Sequence, residues 1–147
     1  MTRQFITFTI GAEEYGVDIM AIREIKGWAP AAPLPDMPTY MRGVIDLRGT
    51  IVPILDLRAR FGGTATEASA RHVTIVVAVG DHVAGILVDA VVDILAVEDG
   101  DIQSVPSVEQ GAADAFLSGL VTVEGRMVAL LDLDHVFHSV TSAAAAA

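Results

Sequence analysis

Apolar and polar residues alternate along much of the chain, which is the pattern of short, half-buried β-strands. Near the N-terminus Ile6, Phe8 and Ile10 fall on one face of a predicted strand, and Thr7 and Thr9 fall on the other. Similar short runs follow at close spacing, with little sign of helix. This pattern is typical of small β-barrels or a β-sandwich.

Turn residues divide these strands into hairpins. The β-rich runs on either side of Arg48-Gly49 predict one hairpin, and the runs around Gly80-Asp81-His82 predict another. Prolines at positions 30, 33, 35 and 38 predict a rigid connecting loop that cannot be a central strand.

The chain also contains an internal repeat. Residues 41–61 align with residues 117–137 without a gap, at an offset of 76, and seven of the 21 positions are identical. Residues 11–25 align with residues 80–94 at an offset of 69. The identical pairs are Gly43/Gly119, Gly49/Gly125, Val52/Val128, Leu55/Leu131, Asp56/Asp132, Leu57/Leu133, Phe61/Phe137, Gly11/Gly80, Gly16/Gly85, Ala21/Ala90 and Ile25/Ile94.

A repeat near half the chain length indicates two copies of one supersecondary unit. Each copy alone is too small to be stable, so we expect the two to pack along a shared apolar seam. We predict one domain over residues 1–140, made of two lobes, and a disordered or artificial tail over residues 141–147. Asp56 and Asp132, at matched positions, are predicted to cap short helices through backbone N–H groups.

Composition narrows the class of protein. The net charge of −10 and the pI near 4.5 argue against nucleic acid or an anionic membrane surface as the main partner. No cysteine is present, which excludes disulfides and favours a reducing cytoplasm. The N-terminus alternates and has no signal-peptide core, and no run of 18 apolar residues occurs, so we predict a soluble protein.

Candidate chemistry is sparse. His135 and His138 are three residues apart on a predicted helix, but zinc needs further ligands, so surface histidines are the simpler interpretation. Glu98, Asp99 and Asp101 lack the spacing of an EF-hand loop and indicate a solvated acidic turn. No nucleophile elbow, P-loop or dinucleotide fingerprint is present. We therefore predict a non-enzymatic protein without metal or cofactor.

A family resemblance covers nearly the whole chain, from about residue 5 to residue 137. The motifs that carry it, in chain order, are EEYGVDIMAIREI, the proline-rich loop, GVIDLRGTIVPILDLRARFG and VAGILVDAVVDIL. In this combination they are similar to the CheW family of bacterial chemotaxis coupling proteins. The resemblance implies two five-stranded, SH3-like β-barrel lobes around a common hydrophobic seam.

The resemblance also implies a function and partners. It implies a cytoplasmic signal-transduction adaptor that couples the tips of methyl-accepting chemoreceptors to the regulatory domain of the histidine kinase CheA in receptor arrays. The positions that match family residues implicated in coupling are Ile22, Glu24, Gly43, Arg48, Val91 and Ile94. At Asp46 the family usually has asparagine, so we expect this carboxylate to pair with Arg48 and compete for its guanidinium group.

Each of these six positions also has a purely structural interpretation. Arg48 can be a solvated turn residue, and Glu24 can form an ordinary cross-strand ion pair. Gly43 can serve only a backbone conformation that other residues resist. The three aliphatic residues can belong either to the core or to an exposed groove.

Two other functions are compatible with a small β-rich protein. The first is a scaffold of the same fold for a kinase pathway that controls another output, such as motility or gene regulation. The second is a barrel that binds nucleic acid or a small ligand. A barrel of the second kind would have a basic face with interleaved aromatic residues. This chain is acidic and has only one Trp, two Tyr and five Phe, so it does not match that pattern.

Overall fold

The computed structural model describes residues 2–105 and 116–137, and its regular structure is mainly β-strand. A short 3-10 helix, Ile19–Ala21, precedes the third strand, and another, Asp99–Asp101, follows the eighth. The strands and helices are β1 Thr2–Ile10, β2 Glu13–Asp18, β3 Ile22–Gly27, β4 Met41–Leu47, β5 Thr50–Asp56, α1 Leu57–Arg60, β6 Val73–Val79, β7 His82–Val88, β8 Ala90–Glu98, β9 Leu117–Val123, β10 Arg126–Leu131 and α2 Leu133–Val136.

The strands form two five-stranded sheets, which we call lobe 1 and lobe 2. Lobe 1 has the strand order β8-β1-β2-β10-β9, and lobe 2 has the order β3-β6-β7-β5-β4. The predicted two-lobed, SH3-like architecture is confirmed, although no ladder among the described residues joins the terminal strands and closes either sheet into a barrel.

Each lobe contains strands from both copies of the repeat. The first copy supplies β1 and β2 to lobe 1 but β3, β4 and β5 to lobe 2, and the second copy does the reverse. The pairing follows the repeat, since Ile6 pairs with Ile94 in lobe 1, and Ile75, which matches Ile6, pairs with Ile25 in lobe 2. The copies are therefore interleaved, and neither supplies all the strands of either sheet.

The predicted apolar seam lies between the two lobes. Its central cluster joins lobe 1 residues such as Phe8 and Val17 to lobe 2 residues such as Ile75 and Ile86, together with Phe137 beyond α2. Smaller clusters fill each lobe, around Phe5, Leu95, Val121, Val128 and Leu130 in lobe 1, and around Val52, Ile54, Val76 and Leu87 in lobe 2. Burial of these side chains is the main favourable term in folding.

Both predicted helix caps are confirmed. Asp56 accepts a hydrogen bond from the Ala59 N–H, and Asp132 accepts the equivalent bond from the His135 N–H. The Asp56 carboxylate is buried and also accepts bonds of 2.7 Å from both the N–H and the hydroxyl of Thr66. The first cap is thus more deeply built into the fold than the second.

Candidate docking edges

The β4–β5 and β9–β10 hairpins, which we call the two central hairpins, have the same turn conformation. Arg48 and Gly49 have φ angles of 51° and 89°, and the matching Glu124 and Gly125 have 50° and 78°. Two consecutive positive φ angles are the mark of a type I′ turn, whose twist matches that of the flanking strands. The predicted hairpins at Arg48-Gly49 and at Gly80-Asp81-His82 are confirmed. The Arg48-Gly49 turn and its repeat equivalent, Glu124-Gly125, each present a charged side chain at the tip.

The expected pairing of Asp46 with Arg48 is wrong. The Asp46 carboxylate instead accepts a 2.8 Å hydrogen bond from the Gly49 N–H within the turn. This contact holds the aspartate against its own backbone, as short acidic side chains commonly do in turns. Arg48 is left free to reach a different carboxylate.

Arg48 pairs with Glu24 through both arms of its guanidinium group. The Nη1–Oε1 and Nη2–Oε2 distances are 3.3 and 3.2 Å. Glu24 lies on β3 and Arg48 follows β4, and these are the two terminal strands of the lobe 2 sheet. The ion pair therefore spans the open side of this lobe.

The pair remains accessible from outside. The Arg48 side chain is 74% exposed and the Glu24 side chain 29% exposed. Exposed ion pairs contribute about 0–1 kcal/mol to stability, because water and salt screen them. Arg48 can therefore exchange Glu24 for another anionic group at little cost to the fold.

A groove lies beside this ion pair. It encloses about 270 Å³ and is lined by Arg23, Glu24, Leu47, Arg48, Thr50, Val52, Val76 and Val83. Both aliphatic and charged side chains line it, and of these Val52 and Val76 are fully buried. A short apolar segment with an anionic group near it has the chemistry to fit there.

Gly43 is buried beneath the proline-rich loop. Its neighbour Val44 forms two backbone hydrogen bonds with Ala32, of 2.8 and 2.9 Å. A Cβ atom at Gly43, where φ is +132°, would lie 2.3 Å from the Ala32 carbonyl oxygen. The glycine thus permits close approach of the loop to β4, which agrees with the structural interpretation of this residue.

The aliphatic candidates differ in their exposure. Ile22 is half-buried at the edge of the central core cluster. Val91 and Ile94 are 37% and 53% exposed on β8, which is a terminal strand of the lobe 1 sheet. Of the two interpretations, core or exposed groove, the structure therefore places Ile22 against the core and the two β8 residues on the surface.

The candidates fall into two groups on different lobes. Ile22, Glu24, Gly43 and Arg48 lie on the terminal strands of lobe 2 or on the turn that follows one of them, whereas Val91 and Ile94 lie on β8 of lobe 1. A terminal strand has unpaired backbone groups along one side, so it is a natural place for a partner to add.

Sequence reasoning missed several exposed apolar residues. Ile25 is 42% exposed at the position that matches Ile94. Ile51 and Met127, which match at the offset of 76, are each 62% exposed. The exposure of Ile51 and Met127 could have been predicted from the repeat. These residues directly precede Val52 and Val128, which are buried, so their side chains must point to the opposite face of the strand.

Lobe 1 lacks this ion pair. The positions that match Glu24 and Arg48 are Asp93 and Glu124, so both are acidic. Asp93 instead accepts a 2.8 Å hydrogen bond from the N–H of Ile94. The two lobes therefore share a backbone plan but differ in charge at the same place.

Other candidate chemistry contributes little here. His135 Nδ1 lies 2.7 Å from Asp132 Oδ2, and His138 lies outside the described residues. Across residues 2–105 and 116–137, no three His, Asp or Glu side chains gather closely enough to hold a metal ion. Within the same ranges, no helix has the length and apolar character required to cross a bilayer.

Comparisons with known proteins agree with this geometry. A family model described as "CheW-like domain" matches residues 4–141. The chain is 50% identical over 137 residues to a chemotaxis protein CheW of Rhizobium meliloti, covering 93% of this chain and 88% of that protein. It is 36% identical to the Klebsiella aerogenes chemotaxis protein CheW, covering 93% and 82%.

A solved structure shows the same fold. The crystal structure of the scaffolding protein TtCheW from Thermoanaerobacter tengcongensis superposes with a TM-score of 0.85 at 29% sequence identity. The match covers 93% of this chain and 88% of that one.

Proposed function

The chain belongs to the CheW-like domain family of chemotaxis adaptors, and we propose that it couples the tips of methyl-accepting chemoreceptors to the regulatory domain of the histidine kinase CheA. In this proposal it acts in the cytoplasm, reaches the membrane only through receptor arrays, and catalyses no reaction. The relatives carry chemotaxis names, which favours this output over motility control or gene regulation.

The observation that carries the proposal is the matched exposure of apolar residues on the two lobes. Ile25 and Ile94 occupy equivalent positions on β3 and β8, and both are exposed. Isolated exposed aliphatic residues are ordinary, but their repetition at the same position of two lobes supports a docking surface on each lobe. An adaptor needs two such surfaces that can be occupied at the same time.

We assign one surface to each lobe. The first consists of Ile22, Glu24, Gly43 and Arg48 on lobe 2 together with the exposed Ile25 of β3, and Arg48 supplies a cation for an anionic group of the partner. The second consists of Val91 and Ile94 on lobe 1, where the exposed edge of β8 takes an apolar segment. In the first surface Gly43 acts indirectly, by allowing the proline-rich loop to pack on β4.

The mechanism follows from having two surfaces on one body. When each partner favours a particular state of the other through a shared scaffold, the effect is a coupling free energy, typically about 1–3 kcal/mol. No reaction on the scaffold is needed. Because each copy of the repeat supplies strands to both lobes, the two surfaces belong to one folded body.

Co-elution with each partner tests the proposal. The purified chain should co-elute with the CheA regulatory domain, and separately with a receptor-tip fragment, at about 10–50 µM, the range of transient signalling contacts. If the chain fails to bind one of these two partners at these concentrations, the proposed function is wrong.

Two matched substitutions test whether there are two surfaces. Ile25→Asp and Ile94→Asp place the same change at equivalent positions of lobes 2 and 1. Each should weaken binding of one partner and spare the other. If both substitutions weaken the same partner and leave the other unaffected, the assignment of one surface to each lobe is contradicted.

A further inference from the structure

Arg60, the last residue of α1, lies between two aromatic rings. Its guanidinium carbon is 4.3 Å from the centre of the Tyr40 ring and 4.7 Å from the centre of the Phe116 ring. Its Nε donates a 2.9 Å hydrogen bond to the Val136 carbonyl, and its Nη2 donates a 3.5 Å bond to the His135 carbonyl. Both carbonyls belong to the last turn of α2, where the His135 carbonyl also accepts a hydrogen bond from the Phe137 N–H.

The partners of Arg60 are related by the internal repeat. Tyr40 and Phe116 are 76 residues apart, which makes them equivalent positions of the two copies. Their backbones behave alike, because the Tyr40 carbonyl accepts a 2.7 Å hydrogen bond from the Asp56 N–H and the Phe116 carbonyl accepts a 2.7 Å hydrogen bond from the Asp132 N–H. Val136 is the counterpart of Arg60 itself, so this arginine lies where the two copies meet.

The two rings stand at the start of strands in different lobes. Tyr40 immediately precedes β4, the terminal strand of lobe 2 that leads to the Arg48 turn. Phe116 immediately precedes β9, the terminal strand of lobe 1 that leads to the Glu124 turn. Through these rings, one side chain contacts the beginnings of both central hairpins.

Only arginine has the shape for this position. A guanidinium group is planar, so its two faces can stack on two rings while its edge donates hydrogen bonds in the plane. A lysine ammonium has the same charge but no faces, and cannot stack on both rings while bonding to both carbonyls. The geometry therefore depends on the shape of the group as well as on its charge.

We infer that Arg60 is a positioning residue that ties the two copies together and fixes the separation of the lobe 1 and lobe 2 hairpins. The neighbouring Phe61 extends the tie, because its ring stacks on Phe116 at 5.7 Å and approaches Tyr15 of β2 at 5.1 Å. The inference concerns the free protein and stands independently of the proposed partners.

Spin labels can measure this separation, because the chain has no native cysteine. The exposed, equivalent positions Ile51 and Met127 provide an inter-lobe pair as Ile51→Cys with Met127→Cys. Ile25→Cys with Ile51→Cys provides a pair within lobe 2. Pulsed electron paramagnetic resonance then gives a distance distribution for each pair.

The test substitution is Arg60→Lys, which keeps the charge. The matched control is Arg3→Lys, because Arg3 also stacks on a ring, that of Phe5, and pairs with Asp18, but entirely within lobe 1. Tyr40→Leu removes one of the two rings around Arg60 and gives a second test if Arg60→Lys does not fold.

Arg60→Lys and Tyr40→Leu should broaden or shift the inter-lobe distance distribution and leave the distribution within lobe 2 unchanged. Arg3→Lys should change neither. An unchanged inter-lobe distribution in the folded Arg60 variant would overturn the inference. Equal broadening of both distributions would also overturn it, since that result indicates general loosening of the fold.

Discussion

The two central hairpins have the same backbone conformation and differ in the contacts of their side chains. In lobe 2, Arg48 at the tip of the hairpin reaches Glu24 on the opposite terminal strand. In lobe 1, the same two positions hold Glu124 and Asp93, which are both acidic and cannot form the matching ion pair. The repeated positions therefore maintain the fold, and the differing ones distinguish the two surfaces.

The same contrast appears at the buried glycines. At both Gly43 and Gly119 an incoming segment forms an isolated bridge with the strand, Ala32 with Val44 in one case and Gln103 with Leu120 in the other. The close approach is a property of the repeat. What would obstruct a side chain differs, because it is a backbone oxygen at Gly43 and an isoleucine side chain at Gly119.

The largest expected effect comes from adding a methyl group at these glycines. Gly43→Ala places a Cβ 2.3 Å from the Ala32 oxygen at a φ of +132°. It should lower the free energy of unfolding by about 3–5 kcal/mol, because neither the backbone strain nor the clash can be relieved by a side-chain movement. Gly119→Ala meets the Ile102 side chain at 2.7 Å and should cost about 1–3 kcal/mol. Urea unfolding measures both, and equal losses would contradict the distinction.

The next largest difference in stability is expected between variants of the two helix caps. Asp56→Ala leaves the buried Thr66 N–H without its acceptor and removes the carboxylate 3.7 Å from Arg42, and should cost about 2–4 kcal/mol. Asp132→Ala removes a partly exposed cap and should cost about 1 kcal/mol. Chemical denaturation of both variants checks the order, and a larger loss for Asp132→Ala would show that burial does not set the difference.

The ion pair should matter little to stability. Arg48→Ala is expected to change the free energy of unfolding by less than about 1 kcal/mol, because the guanidinium group is largely solvated. Glu124→Ala, at the same turn position of lobe 1, is the matched control. A double-mutant cycle of Glu24→Gln and Arg48→Ala isolates the pair, and a coupling energy well above about 1 kcal/mol would contradict the interpretation of a weak, exchangeable contact.

A pH effect is expected only in strong base. Burial, followed by the nearby charge of Glu13, raises the pKa of Tyr15 above its ordinary value of 10.0. The folded state therefore favours the neutral phenol, and its contribution to stability is complete below pH 10.0 and is lost as the pH rises through the folded pKa. Tyr15→Phe should reduce this alkaline loss in urea titrations. An unchanged slope in the variant would contradict the assignment to Tyr15, whose counterpart in the other copy is Ala84.

The local features of this fold could be predicted from sequence because they depend on few neighbouring residues. The Arg48-Gly49 turn and the Asp56 cap need only a glycine at a positive φ and a carboxylate near free N–H groups. The repeat also indicated correctly that two copies share one seam.

The non-local features could not be predicted in the same way. The strands of both copies have similar apolar patterns, so the sequence does not distinguish pairing within a copy from pairing between copies. The partner of Arg48 was misassigned for the same reason, since Glu24 is distant in the chain and reaches Arg48 only because sheet order places β3 and β4 at the two ends of lobe 2.

The most direct test of the account compares the two hairpin tips in a working assembly. Receptor-dependent control of CheA activity would be measured in a reconstituted mixture of receptor, kinase and this protein, with Arg48→Glu and Glu124→Arg as matched charge reversals. We expect Arg48→Glu to abolish receptor control while circular dichroism shows an intact fold, and Glu124→Arg to retain control. Unchanged control with Arg48→Glu, or equal loss with both variants, would contradict the assignment of coupling to the lobe 2 hairpin.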